Sequence, residues 1–162
     1  MVGVDTPPLD DSLLLGVGTQ EFNRRYTLRE TKQRLHQAPF RAAVMDAYSC
    51  RCAICQLAHS PLLDAAHIIP DSENGNASVS NGLALCKIHH AAYDNNIIGI
   101  TPDLVVQVNR DALEETDGPM LLHGIQEFHG QRLMVIPKGK RRPDRDFLAT
   151  RFDRFLQEAQ TV

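Results

Sequence analysis

The chain has 162 residues, enough for one sizeable domain and too few for two large ones. Its 43% hydrophobic and 23% charged content is ordinary for a soluble globular protein, and the absence of tryptophan makes a mostly aliphatic core the expectation. A net charge of -3 does not announce a nucleic-acid binder, and the apolar run Leu13 to Val17, preceded by Asp10 and Asp11, is too short for a membrane span and wrongly charged for a secretory leader. A cytoplasmic protein with no membrane association is expected.

Charge is distributed more informatively than its sum. Arg24, Arg25, Arg29, Lys32, Arg34 and Arg41 form a basic stretch opposed only by Glu30, and Lys138, Lys140, Arg141, Arg142 and Arg145 form a second. Such flanking segments could hold a phosphate backbone, although solvated helix faces and loops give the same pattern.

Residues 1–22, with Pro7, Pro8, Gly16 and Gly18, read as a flexible leader. From Thr27 to Tyr48, Leu28, Leu35, Phe40, Val44 and Met45 recur at helical spacing, and Pro39 divides the pattern into two helices. Leu62 to Ile69 reads as a buried strand stopped by Pro70, and Asn74-Gly75-Asn76 in the polar loop that follows suggests a hairpin turn. Leu83 to Tyr93 has the length and composition of a helix. Leu104 to Val108 and Gln131 to Ile136 read as strands, and Arg145 to Ala159 as an amphipathic helix burying Phe147, Leu148, Phe152 and Leu156. No internal repeat or low-complexity tract is present.

Cys52-Ala-Ile-Cys55 is a C-x2-C pair, and Cys86-Lys-Ile-His89 a C-x2-H pair about thirty residues later. A two-residue spacer lets one tight turn present both members of a pair, and two pairs complete a tetrahedral zinc site with no position left for water. That closure makes the zinc structural. A disulfide is disfavoured because nothing indicates export, and a redox pair leaves the second Cys/His pair unexplained. Cys50 stands outside both pairs and reads as a buried, inert thiol.

Between the pairs lie Asp64-Ala-Ala-His67-Ile-Ile-Pro70, then Asn81-Gly-Leu-Ala-Leu-Cys86, then His89-His90-Ala-Ala-Tyr-Asp94. The order His67, Asn81, His90 enclosed by zinc pairs resembles the HNH family of ββα-metal endonucleases. The upstream motif Phe40-Arg41 to Arg51-Cys52 is similar to its restriction-endonuclease-like branch.

The resemblance implies an α+β fold: a zinc-stabilised, treble-clef-like ββα-metal core with flanking helices and a small C-terminal β/α extension. Residues 23–160 would be a single HNH nuclease domain, with core 40–94 and extension 95–160. It also implies roles. His67 would be the general base, since a neutral imidazole can take a proton from water. Asn81 would bond across the loop and hold the base-bearing backbone. His90 and Asp94, four residues apart on one helix face, would hold a catalytic magnesium or manganese ion. Neighbours on a helix diverge by about 100°, so His89 can face the zinc while His90 faces the active site.

Many family members carry Asp or His immediately before the base; here that position is Ala66. Asp64 shares its strand face by the period-two rule, roughly 6–7 Å away, and either reaches the metal, orients His90, or is a surface carboxylate. Arg41, Arg51, Lys87, Lys138, Lys140, Arg141 and Arg142 are candidate DNA contacts. His36, His59, His123 and His129 have no partner at informative spacing.

The function expected is metal-dependent DNA cleavage in restriction or another defence role. The alternative is a non-catalytic zinc-stabilised nucleic-acid-binding module, which would not need His67, His90 and Asp94 together. A protein-interaction zinc domain leaves the basic stretches unexplained. One active site cuts one strand, so a homodimer fits a double-strand break, and the chain reads either as a stand-alone nuclease or as one domain beside a recognition domain in a longer protein. Strandedness, DNA versus RNA, base modification and the choice among magnesium, manganese and nickel are not legible in these residues.

Overall fold

A computed structural model describes residues 37–159. The expected leader, the helical pattern before residue 37, the basic residues Arg24 to Arg34 and His36 lie outside the described residues.

Helix α1 (37–47) contains Pro39 and turns Phe40, Val44 and Met45 inward. It ends where Ser49 and Cys50 adopt φ of 53° and 51°, with the Cys50 amide donating to Met45 O at 2.8 Å. One left-handed residue, usually glycine, is the common helix stop, and in this chain two non-glycine residues in succession take that part. Here they deliver it to a tight turn at Cys52–Cys55, closed by Gln56 N donating to Cys52 O at 3.0 Å. The turn in Cys50's backbone also leaves its side chain exposed, correcting the expectation of a buried thiol.

Strands β1 (Leu63–His67) and β2 (Gly82–Cys86) form an antiparallel pair in which Leu63 faces Cys86 and His67 faces Gly82. The segment expected to be one helix from Leu83 onward therefore begins as a strand. All five residues of β2 are buried, so it lacks the alternation that marks a strand with one wet face. Helix α2 (Lys87–Asp94) follows directly and buries His89, Ala92 and Tyr93. The β1–β2 connection is not a two-residue hairpin. It is a long loop with short 3-10 turns at Asp71–Glu73 and Val79–Asn81, and Asn74 is left-handed at φ 63°.

Gly82 is what lets α1 lie on this hairpin: a Cβ there would sit 2.4 Å from Val44 Cγ2 and 3.0 Å from Phe40 Cζ. Tyr48 Oη donates to Gly82 O at 3.1 Å on the same contact.

The rest of the chain wraps this unit. Strands β3 (Ile98–Ile100) and β4 (Val106–Val108) pair antiparallel. The strand expected at Gln131 to Ile136 is reduced to a single bridge from Arg132 to Val105, while Met134 and Val135 amides donate to Ala53 O and tie the segment to the cysteine turn. Helices α3 (Arg110–Glu114) and α4 (Pro119–Gly124) are short, and Asn109 caps α3 by accepting from Ala112 N at 2.9 Å. Helix α5 (Arg145–Ala159) begins at Asp144, whose carboxylate accepts from the Asp146 and Phe147 amides. Its buried face carries Leu148, Arg151 and Phe155, not the expected Leu156, which is exposed. The described residues from Ala38 onward cluster as one compact unit. Mixed helix and small sheets make the fold α+β. Among the described residues no helix is long and apolar enough to cross a membrane.

Candidate active site and metal centre

The cysteine turn, the end of β2 and the first turn of α2 bring four ligand atoms together. Cys52 Sγ, Cys55 Sγ, Cys86 Sγ and a His89 ring nitrogen all lie within 4.8 Å of one another. His89 Nδ1 is 3.5 Å from Cys52 Sγ and 3.2 Å from Cys86 Sγ, and the Cys55 and Cys86 sulfurs are 4.0 Å apart. A tetrahedral zinc with bonds of about 2.3 Å separates its sulfurs by roughly 3.8 Å, so the set has the right size.

Its protonation chemistry agrees. Hydrogen bonds from the neighbouring cysteines hold Cys86 far below the usual thiol range, while the same contacts keep Cys55 protonated. Burial would depress His89, but the Cys52 and Cys86 sulfurs push it up to about 10. Four crowded donors competing for protons is the state that one dication resolves.

His89 Nε2 donates to Gly124 O at 2.8 Å, so Nδ1, facing the sulfurs, is the nitrogen that would give up its proton to a metal. Phe128 contacts the ring edge-on with centroids 5.2 Å apart. This support comes from the C-terminal extension and has no local sequence signal.

His90, one residue on, points to a different place. Its Nδ1 is 3.4 Å from Asp64 Oδ2 and its Nε2 is 3.2 Å from Asp94 Oδ2. Asp64 in turn accepts from Lys87 Nζ at 2.9 and 3.0 Å. Burial would raise Asp64, but the Lys87 and His90 contacts hold its carboxyl below the ordinary value. Asp64, His90 and Asp94 thus form a chain through the two ring nitrogens. Among the described residues, the set of three or more ligand atoms closing on one point is the Cys/His one.

His67 ends β1. Its ring stacks on Phe40 at 4.0 Å between centroids and 12° between planes. Nε2 is buried without a hydrogen-bond partner, with Asp71 Oδ1 at 3.7 Å. Burial lowers the pKa of His67 below the ordinary imidazole value; Asp71 opposes that shift, His90 adds to it, and Asp94 opposes it. The stacked Phe40 and the nearby Asp71 are neighbours that sequence spacing did not single out.

Asn81 is fully buried and stitches the loop after His67. Its Oδ1 accepts from Ile69 N at 2.9 Å, and its Nδ2 donates to Ile69 O at 2.9 Å and Asn76 O at 2.8 Å. Gly75 allows the loop to fold back on itself, since a Cβ there would meet Ile69 O at 1.9 Å.

The basic candidates divide by their partners. Arg41 donates to Leu63 O at 2.7 Å and so braces the start of β1. Lys87 is paired with Asp64 and Arg141 with Asp46, and Arg51 reaches toward Gln56 O at 3.5 Å. Lys138, Lys140 and Arg142 are exposed, on or beside a turn at Gly139–Arg141 that packs on the Val79–Asn81 turn. Asp144 N donates to Ser80 O at 2.8 Å across this contact. Of the remaining histidines, His59 is exposed, His123 pairs with Glu127, and His129 Nδ1 accepts from Val108 N.

Fold and site together define a ββα unit clamped by a Cys3His cluster, with a second histidine-carboxylate group on the same helix. Residues 52–101 match the family model described as HNH endonuclease. Among solved structures the chain is similar to a "Modification dependent TagI restriction endonuclease", with 21% identity and a TM-score of 0.48, covering 72% of this chain. The chain spans 37% of that protein's length. No curated protein matches it.

Proposed function

We propose that this chain is a metal-dependent endonuclease that hydrolyses DNA phosphodiester bonds, with His67 as general base and one magnesium or manganese ion held by His90 and Asp94. The observation that carries this reading is the split within α2. His89 turns into the cysteine cluster, whereas His90 turns to Asp64 and Asp94, and His90 and Asp94 lie within electrostatic reach of His67. A module that only bound nucleic acid would need the first of these groups and not the second.

When bound, the ion would supply Lewis-acid contact to phosphate and neutralise charge at the departing 3′ oxygen. An imidazole nitrogen and a carboxylate oxygen suit an ion that keeps several waters as its remaining ligands. Asp64, already neutralised by Lys87, acts here by orienting His90 through Nδ1. His67 is held neutral by burial, so a ring nitrogen is free to take the proton of the attacking water. Asn81 fixes the backbone that follows the base. Products would be a 5′ phosphate and a 3′ hydroxyl.

Lys138, Lys140 and Arg142 would meet DNA phosphates beside this loop, giving binding with little base readout and strong salt dependence. A restriction or defence role, pairing of two copies for a double-strand break, and association with a recognition domain belong to the same proposal. Supercoiled plasmid incubated with the zinc-loaded protein should be nicked in magnesium or manganese and untouched in their absence. Tight, salt-sensitive binding without nicking under any divalent cation would leave the binding-module reading instead.

A further inference from the structure

We infer that Asp71 is a positioning residue for His67, selecting the ring tautomer that carries hydrogen on Nε2 and leaves Nδ1 as the basic nitrogen. The inference rests on His67 being the general base. A neutral imidazole has one N–H and one lone pair, and which nitrogen is basic is set by the partner of the other. His67 Nε2 is buried, and Asp71 Oδ1 lies 3.7 Å away, a little beyond hydrogen-bond range. An N–H at Nε2 points to a carboxylate; a lone pair at Nε2 would point at negative charge.

The ring cannot easily turn away from this choice. Phe40 lies flat against it at 4.0 Å, and Gly82 faces it across the strand pair. Its side chain is 18% exposed although Nε2 is buried, so the part of the residue that meets solvent is elsewhere. From α2, His90 and Asp94 act on it electrostatically, and neither gives Nε2 a hydrogen bond.

Asp71 itself stands on an anchored segment. Pro70 precedes it with φ -62°, and Pro70 O accepts from the Glu73 and Gly75 amides. Glu73 pairs with Arg154 of α5, and Asn81 grips Ile69 on one side and Asn76 on the other. The carboxylate is therefore presented by a fixed turn, four residues after the base.

The experiment uses the full zinc-bound chain labelled with 15N in histidine, observed by NMR at mildly alkaline pH. Signals missing in His67→Gln assign the residue. The expected wild-type ring has its proton on Nε2 and an unprotonated Nδ1, and Asp71→Ala converts it to a mixture of tautomers. In cleavage assays Asp71→Ala should lose about 10- to 100-fold in kcat with KM unchanged, and Asp71→Glu should recover part of it. Half-exposed Asp71 can be removed without threatening the fold, which retained zinc verifies. A wild-type proton on Nδ1, or an Asp71→Ala ring with the same tautomer as wild type, overturns the inference. Should wild type cleave nothing, the nuclease reading fails, while the ring signals still decide the tautomer.

Discussion

His89 and His90 are consecutive in α2 and serve two separate groups: His89 Nδ1 lies 3.2 Å from Cys86 Sγ, and His90 Nε2 lies 3.2 Å from Asp94 Oδ2. The helical turn between neighbours makes this possible. It also makes the two histidines separable by mutation. His89→Ala should release zinc and lower the melting temperature sharply, because a structural metal contributes folding free energy directly. His90→Ala should keep one zinc per chain and a near-native melting curve while losing metal-dependent nicking. Metal analysis and calorimetry on the two variants test the separation. Zinc loss from His90→Ala would show that the two groups are not independent.

How much of this was legible in sequence depends on how local each signal is. The Cys52–Cys55 and Cys86–His89 pairs are set by two-residue spacers, so their grouping could be read before any fold was known. The start of β2 could not, because a strand buried on both faces has the same apolar run as a helix, and only its pairing with β1 distinguishes them. Cys50 is exposed where its sequence context suggests a buried thiol, because two successive left-handed residues turn the chain there and no motif announces them. On α5 the 3.6-residue pattern identified the helix but missed Phe155 and Arg151, since an arginine is counted polar until its partners are seen. Phe40 and Asp71 reach His67 through a helix packed at Gly82 and a loop closed by Asn81, and such tertiary contacts leave no spacing to read.

Asn81→Ala should destabilise the protein by about 2–3 kcal/mol, since it strands Ile69 N–H and two carbonyls behind a buried gap. Urea denaturation with an unchanged m-value measures this. The same variant should cleave slowly even where it is fully folded, because the loop after His67 is no longer held.

Arg151 is buried under α5, donating to Tyr93 O at 2.6 Å and to the Asn96 side chain, with its guanidinium 4.7 Å from the Tyr93 ring. Arg151→Ala should cost about 3 kcal/mol, a loss of packing, cation–π contact and charged hydrogen bonds together. Nicking per folded molecule should be nearly unchanged. A shift of the urea midpoint smaller than the error would show that this contact does not hold α5 to the core.

The pH profile follows from His67. Its burial lowers its pKa, so its neutral form persists below the ordinary imidazole value near 6.5, and with His67 as the proposed base the acid limb of cleavage should fall below that value. The sign for stability is the same. A depressed folded-state pKa means that protons bind the unfolded chain more readily, so the contribution of His67 is complete above about 6.5 and is lost as pH falls toward its folded value. Cleavage rates and melting temperatures taken across mildly acidic pH test both. An acid limb lying above the ordinary imidazole value would contradict the assignment.

The most direct test of the two-ion account compares wild type with His67→Ala in plasmid nicking, at equal zinc content and saturating magnesium or manganese. The account predicts intact zinc, an intact fold and a loss of rate of at least about 100-fold, the scale of a positioned general base. Equal nicking by the two proteins would contradict it, and would leave the imidazole at the end of β1 with a structural part only.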